Sequence, residues 1–214
     1  MDLLLRAGTA VISDIFDSEG GTPAILTSLP SITPSPRFVG PAYTISGETY
    51  ASAASGDRAK LEAIDAMPAG VVPVWAGGDI SGVCCFGDLL AAAMRGRGCT
   101  GVVVDGGVRD VGYLATLDMP IIARYRTPAQ SIGRWRVTSC QEPVQVRGVL
   151  VEWVTVNPGD IVVSDEDGVI IVPSADLERI EKKVEEWELT ETESRQAIQD
   201  GMTLGAALDK FGHL

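Results

Sequence analysis

The feature that most limits what this chain can fold into is an alternation of short, wholly apolar runs with amphipathic stretches. Val71 to Trp75, Gly101-Val-Val-Val-Asp105 and Met119-Pro-Ile-Ile-Ala-Arg124 are each of strand length. A helix-like pattern precedes the first, at Ala59 to Ala66, and another separates the first two, in Asp88-Leu-Leu-Ala-Ala-Ala-Met-Arg95. A strand that is apolar on both faces has to be covered on both faces, so this order predicts an α/β fold with a parallel sheet and covering helices. Asp88 in the first turn of its helix, with Arg95 and Arg97 near the end, matches the helix dipole. A further helix is expected to start near Arg109 or Asp110.

The flanking segments read more loosely. Leu3 to Phe16 has helical spacing, Glu19 to Pro36 reads as loop, Gly40 to Ser46 as a strand, and Gly77 to Phe86 as a glycine-broken loop. Lys60 falls in a pattern typical of a surface helix, and Asp105 reads as the cap of a Gly106-Gly107 turn. After residue 125 the pattern changes. Gln145 to Val156, Asp160 to Ser164 and Gly168 to Val172 are strand-like with short turns between them, which predicts a second sheet layer. Ser174 reads as the N-cap of a long helix whose Glu178 to Glu193 stretch is acidic and solvated. With no internal repeat or composition break, the expectation is a single domain over residues 1–214, of which 173–214 form an acidic helical arm.

Composition removes several functions. Seventeen Lys plus Arg against 29 Asp plus Glu leave a net charge of −12. Such a surface repels phosphate backbones and anionic lipid, so no nucleic acid and no membrane are expected as partners. No run approaches the ~18 apolar residues of a membrane span, and the Met1-Asp-Leu-Leu-Leu-Arg6 start lacks the character of a signal peptide, which points to a soluble cytoplasmic protein. The adjacent pair Cys84 and Cys85 suits neither a mutual disulfide nor a CxxC zinc site and reads as small apolar filler. The one histidine is the penultimate residue, His213, so Ser-His or Cys-His catalysis has almost no material. Of the lysines, Lys182, Lys183 and Lys210 fall in the acidic tail, which leaves Schiff-base chemistry to Lys60 alone. Carboxylates, arginines and backbone amides remain, a set suited to hard-metal chemistry on oxyanions.

Two strand ends carry such a set. Gly87-Asp88-Leu89-Leu90 precedes one helix, and Asp105-Gly-Gly-Val-Arg109-Asp110 follows the next strand. Ligands of parallel sheets bind beyond the carboxyl ends of strands, so if these strands are neighbours the two segments face each other. The first offers backbone N–H groups at a helix N-terminus for a carboxylate or enolate oxygen. Arg109 adds a bidentate clamp, and Asp110 a ligand for Mg²⁺ or Mn²⁺. Taken singly, each has an ordinary reading: glycines serve turns, Asp88 complements a dipole, and Arg109 with Asp110 makes a surface pair.

Their ordered combination is more specific. Gly87-Asp88 and Arg109-Asp110, the latter inside Gly-Val-Val-Val-Asp-Gly-Gly-Val-Arg-Asp, resemble the 4-hydroxy-4-methyl-2-oxoglutarate aldolase family. That fold is shared with the regulators of ribonuclease activity A and with proteins once labelled demethylmenaquinone methyltransferases. The likeness extends to Gly8-Thr-Ala-Val-Ile-Ser-Asp14, Gly40-Pro-Ala-Tyr-Thr-Ile45, Asn157-Pro-Gly-Asp160, Ser164-Asp-Glu-Asp-Gly-Val-Ile-Ile-Val-Pro173, and Glu191, Arg195, Ile198 and Gly201 in the tail. It implies a three-layer swivelling β/β/α domain with a C-terminal helical arm, assembled as homotrimers or homohexamers with active sites at interfaces. It also implies a divalent-metal-dependent pyruvate aldolase with oxaloacetate decarboxylase activity. On that resemblance Asp110 anchors the metal, Arg109 binds the pyruvyl group, and the Gly87–Leu90 amides hold its carboxylate. Asp88 orients a water, and Glu191 of a neighbouring subunit reaches the site. The alternatives are a non-catalytic regulator that binds a ribonuclease or another protein, and a related lyase recruited to another substrate. Asp110 favours the enzyme, because the regulators generally lack a carboxylate after the arginine. The segments 47–55 and 77–86 depart from the family pattern and leave the substrate open.

Overall fold

The computed structural model describes residues 1–27, 29–52, 56–78 and 80–212. His213, one residue of the 77–86 segment and part of the 47–55 loop lie outside them.

The expected parallel sheet is present. Strand β2 (Phe38–Thr49) pairs in parallel with β3 (Val72–Ala76), β3 with β5 (Val102–Val108), and β5 with both β4 (Cys84–Phe86) and β6 (Ile121–Arg126). Every residue of β3 and β5 is buried, as the apolar runs require, with Asp105 of β5 buried among them. Beyond that agreement β2 is longer than expected. Its first half pairs antiparallel with β10 (Ile161–Ser164), and its last residues pair antiparallel with β7 (Trp135–Cys140). From β10 the sheet continues through β11 (Val169–Val172) to the short β1 (Ala24–Ile25), so the predicted 19–36 loop carries one edge strand.

Alternate residues along the strands feed three cores. One face of β2, β3, β5 and β6 sends Ile45, Trp75, Val104 and Ile121 toward α2 (Arg58–Asp65), α3 (Asp88–Gly96) and α4 (Val111–Leu114). The other face sends Val74, Val103 and Ile122 toward the hairpin of β8 (Val144–Arg147) and β9 (Trp153–Val156). Helix, sheet and hairpin are the three layers of a β/β/α fold. The predicted 145–156 run is thus two strands with a turn, folded back so that Val144, Val146, Val154 and Val156 share one buried face.

The third core joins the chain ends. Ile161, Val163, Ile170 and Val172 pack on α1 (Asp2–Ser18) and on Ile180 and Val184 of α5 (Leu177–Gln199). Burying an aliphatic side chain contributes about 1.5–3 kcal/mol, so the first turns of the acidic helix are anchored rather than solvated all round. A short α6 (Leu204–Phe211) ends the arm. Ser174 does not cap α5. It opens a 3₁₀ turn, Ser174–Asp176, without a side-chain cap, while its N–H donates to Asp160 Oδ1 at 3.0 Å. Helix α1 is broken at Gly8, whose φ of 88° frees the Thr9 N–H and hydroxyl to donate to the Asp165 carboxylate at 2.6 and 2.7 Å.

Candidate active site

Strands β4 and β5 are neighbours, Cys84 opposite Gly107 and Phe86 opposite Val108, so both deliver their carboxyl ends to one edge. Beyond the pairing, the Arg109 N–H donates to the Phe86 carbonyl at 3.2 Å and holds the two exits together. Gly106 and Gly107 lie inside β5, not in a turn. Asp105 is therefore a buried strand residue, and its carboxylate lies 3.3 Å from Arg124 instead of capping glycines. The helix expected after Arg109 is the single turn of α4, with Asp110 before it at φ 59°. A left-handed conformation at a residue with a Cβ costs about 1–2 kcal/mol, and aspartate is among the side chains that tolerate it best.

The two segments meet at Gly87. Asp110 Oδ2 accepts the Asp88 N–H at 3.2 Å and lies 3.3 Å from Arg109 Nε. A Cβ at position 87 would fall 2.2 Å from Asp110 Oδ2 and 2.9 Å from Arg109 Nε, so the close approach needs glycine there. The Asp88 carboxylate turns back to accept the Leu89 N–H at 2.7 Å. Two of the four amides from Gly87 to Leu90 thus already donate to carboxylates of this chain, as the positive end of α3 favours. Arg109 Nε is buried and makes no hydrogen bond among the described residues, its neighbouring anion being Asp110 Oδ2 at 3.3 Å.

This edge forms one wall of a cleft of about 250 Å³ that runs from Arg109 past Asp88 and Phe86 to Asp57, Lys60 and Ser131. Lys60 is the main departure from the sequence reading. It is 4% exposed, not on the surface. Its ammonium donates to the Cys85 carbonyl at 2.9 Å and to Ser131 Oγ at 2.8 Å, lies 3.8 Å from Asp57 Oδ2, and stands 4.9 Å over the Trp135 ring. Burial pushes its pKa down, and the neighbouring Asp57 opposes that shift. The buried face of α2 is Lys60, Ala63 and Ile64, and a cation can join it only because partners from three other segments surround the ammonium. Sequence spacing cannot display such partners. Asp57 did leave a signal as a helix-start aspartate: it is the N-cap of α2 and accepts the Lys60 N–H. Gln130, Ser131 and Ile132 also line the cleft and carried no motif.

Cys84 and Cys85 are free thiols with raised pKa values, Cys85 pushed up to about 12, both chiefly by burial. Both are buried and packed among apolar neighbours, where small apolar filler would sit. Among the described residues no group of three His, Cys, Asp or Glu side chains could hold a metal. Asp110 fits a single-carboxylate site: both of its contacts fall on Oδ2, the side chain is 38% exposed, and a second hollow lies beside it toward Arg126 and Thr127. Magnesium accepts one protein carboxylate and takes its other ligands from water and substrate oxygens. Glu191 is elsewhere in the protomer. It pairs with Arg195 at 2.7 Å on α5, beside Arg6 and Glu188.

The fold and this edge define a member of the Aldolase/RraA family: the chain matches the RraA-like family over residues 9–171 and belongs to it. A protein of Halalkalibacterium halodurans, provisionally named a 4-hydroxy-4-methyl-2-oxoglutarate aldolase, is 30% identical over 216 residues that cover 100% of this chain and 97% of that protein. Protein DlpA of Legionella pneumophila is 29% identical over 97% of this chain, which spans only 33% of DlpA's length. Among solved structures, Streptomyces coelicolor RraAS2, described as an unusual member of the RNase ES inhibitor RraA family, superimposes with a TM-score of 0.75. It is 26% identical, with 91% of this chain and 94% of that chain covered. No helix among the described residues is long and apolar enough to cross a membrane.

Proposed function

We propose that this protein is a divalent-metal-dependent carbon–carbon lyase. It cleaves a 4-hydroxy-2-oxo acid such as 4-hydroxy-4-methyl-2-oxoglutarate to pyruvate and decarboxylates oxaloacetate by the same chemistry. One observation carries the reading: a left-handed aspartate, an arginine with an unbonded buried Nε and a helix N-terminus converge on Gly87 at the mouth of a cleft.

Both reactions leave an enolate of pyruvate, and a free carbanion in its place would be too basic to form in water. Arg109 binds the pyruvyl carboxylate and offsets the charge that develops beside it. The remaining α3 amides add donors to the same oxygens, and the Leu89 N–H, when the Asp88 side chain swings off it, extends that row. Asp88 orients a water that takes the proton of the 4-hydroxyl and later returns one to the enolate carbon. Asp110 holds Mg²⁺ or Mn²⁺, whose contribution when bound is to polarise the 2-keto oxygen as a Lewis acid. In a cytoplasmic homotrimer or homohexamer, Glu191 of the partner subunit completes the site.

The test is pyruvate release from 4-hydroxy-4-methyl-2-oxoglutarate and from oxaloacetate, with EDTA, Mg²⁺ and Mn²⁺ as arms. Metal-dependent pyruvate from at least one substrate is expected. If neither yields any, the regulator reading suggested by the RraA relatives replaces this one.

A further inference from the structure

The strongest feature outside that chemistry is the buried ammonium at the inner end of the cleft. Lys60 comes from α2, yet its two hydrogen bonds go to β4, at the Cys85 carbonyl, and to the segment that follows β6, at the Ser131 hydroxyl. Cys85 is two residues before Gly87. The next carbonyl, Phe86, is the one that accepts from Arg109, and the next amide but one, Asp88, is the one that donates to Asp110. The opposite wall is tied to the same strand, because the Cys84 N–H donates to the Ala129 carbonyl at 2.9 Å. A single cation therefore closes a bridge between both walls of the cleft, immediately behind the anion-binding edge. A buried ammonium with this many partners is costly to place, and packing α2 alone would be served by a leucine or methionine.

We propose that Lys60 is a positioning residue of the anion site: it fixes β4 against the 129–131 segment and thereby sets the distance between the α3 amides and Arg109. Because the bonds it makes are to a main-chain carbonyl and a hydroxyl, its effect reaches the ligand through the placement of Gly87 and Asp88. This rests on the reading of the cleft as a 2-oxo acid site, since the ligand whose carboxylate is being placed is pyruvyl.

Removing Lys60 alone strands the Asp57 carboxylate in the interior, so the informative protein is the double variant Asp57→Asn with Lys60→Met, compared with Lys60→Met and with the unaltered chain. Two readouts are taken on the full-length protein. Amide hydrogen exchange of residues 84–90 reports whether β4 and the start of α3 are held, with or without a ligand. Steady-state kinetics of pyruvate release in saturating Mg²⁺ reports the ligand. For the double variant we expect faster exchange confined to 84–90 and 129–132. Its KM should rise about tenfold while kcat falls less than about threefold, the pattern of lost ground-state positioning. Exchange at 84–90 equal to that of the unaltered chain overturns the inference, as does an unchanged KM in a variant whose exchange is altered. Failure of the unaltered chain to release pyruvate overturns instead the reading of the site, and the exchange result alone then decides whether Lys60 holds the edge.

Discussion

Two aspartate–cation pairs lie on either side of the Gly87 edge, Asp57 with Lys60 inside the cleft and Arg109 with Asp110 where the cleft meets the second hollow, and they differ in almost everything but their formal charge. Asp57 and Lys60 have side chains 9% and 5% exposed, while Asp110 and Arg109 are each 38% exposed. The inner pair is satisfied on every side. Asp57 accepts the N–H groups of Lys60 and Val137 at 3.1 and 2.9 Å, and Lys60 has its carbonyl and hydroxyl. The outer pair has a 3.3 Å contact, an unbonded arginine nitrogen and an aspartate in a left-handed backbone. A buried pair whose partners are complete can only hold structure, because any exchange of partner costs desolvation. A half-exposed pair with spare donors and strain can exchange partners with a ligand. The contrast separates a structural end from the end proposed to be reactive.

Breaking the inner pair should give the largest effect. Lys60→Met leaves Asp57 buried without its cation and is expected to cost about 3–5 kcal/mol of stability, measured by urea denaturation. In Asp57→Asn with Lys60→Met most of that loss should return. Next come Arg109→Ala and Asp110→Ala at the outer pair, each expected to lower kcat/KM for pyruvate release about a hundredfold or more, or at least ~2.7 kcal/mol in the transition state. Their unfolding midpoints should move little, since exposed pairs contribute about 0–1 kcal/mol. A variant of the outer pair that unfolds like Lys60→Met while keeping its turnover would invert the comparison.

Gly87→Ala sharpens it further. The added methyl collides with Asp110 Oδ2 and the Arg109 side chain, so activity should fall about tenfold or more through misplacement of groups that are themselves intact. The smallest effect concerns pH. An unfolded Cys85 thiol ionises near its ordinary value of 9.0, whereas burial keeps the native thiol protonated to about 12. Over that interval the native state binds more protons than the unfolded one, so Cys85 lowers stability as pH rises from 9 toward 12. Denaturation at pH 8 and pH 10 should show a weaker alkaline decline in Cys85→Ala than in the unaltered chain.

Much of the parallel sheet was legible because its apolar runs carry their own requirement for two covered faces. The meeting of the two segments was legible for a related reason: Gly87-Asp88 and Arg109-Asp110 are each contiguous in sequence at a strand exit, and adjacency of the strands brings them together. Segments whose pairing is non-local were harder. β7 alternates buried and exposed residues against the end of β2, 86 or more positions away in sequence, and nothing within 135–140 names that partner. β4 is three residues among glycines and becomes a strand only on the edge of β5.

The sequence by itself determined the α/β class, the family and the residues at the cleft's mouth, because apolar periodicity and short ordered motifs are local properties of a chain. Only the tertiary structure decided that Lys60 is interior, that Asp105 is a buried partner of Arg124, and that two α3 amides already hold carboxylates. Each of those depends on the desolvation of a polar group and on partners from distant segments. Whether a charge can be buried is settled by what surrounds it in space, and one stretch of sequence does not contain its own surroundings.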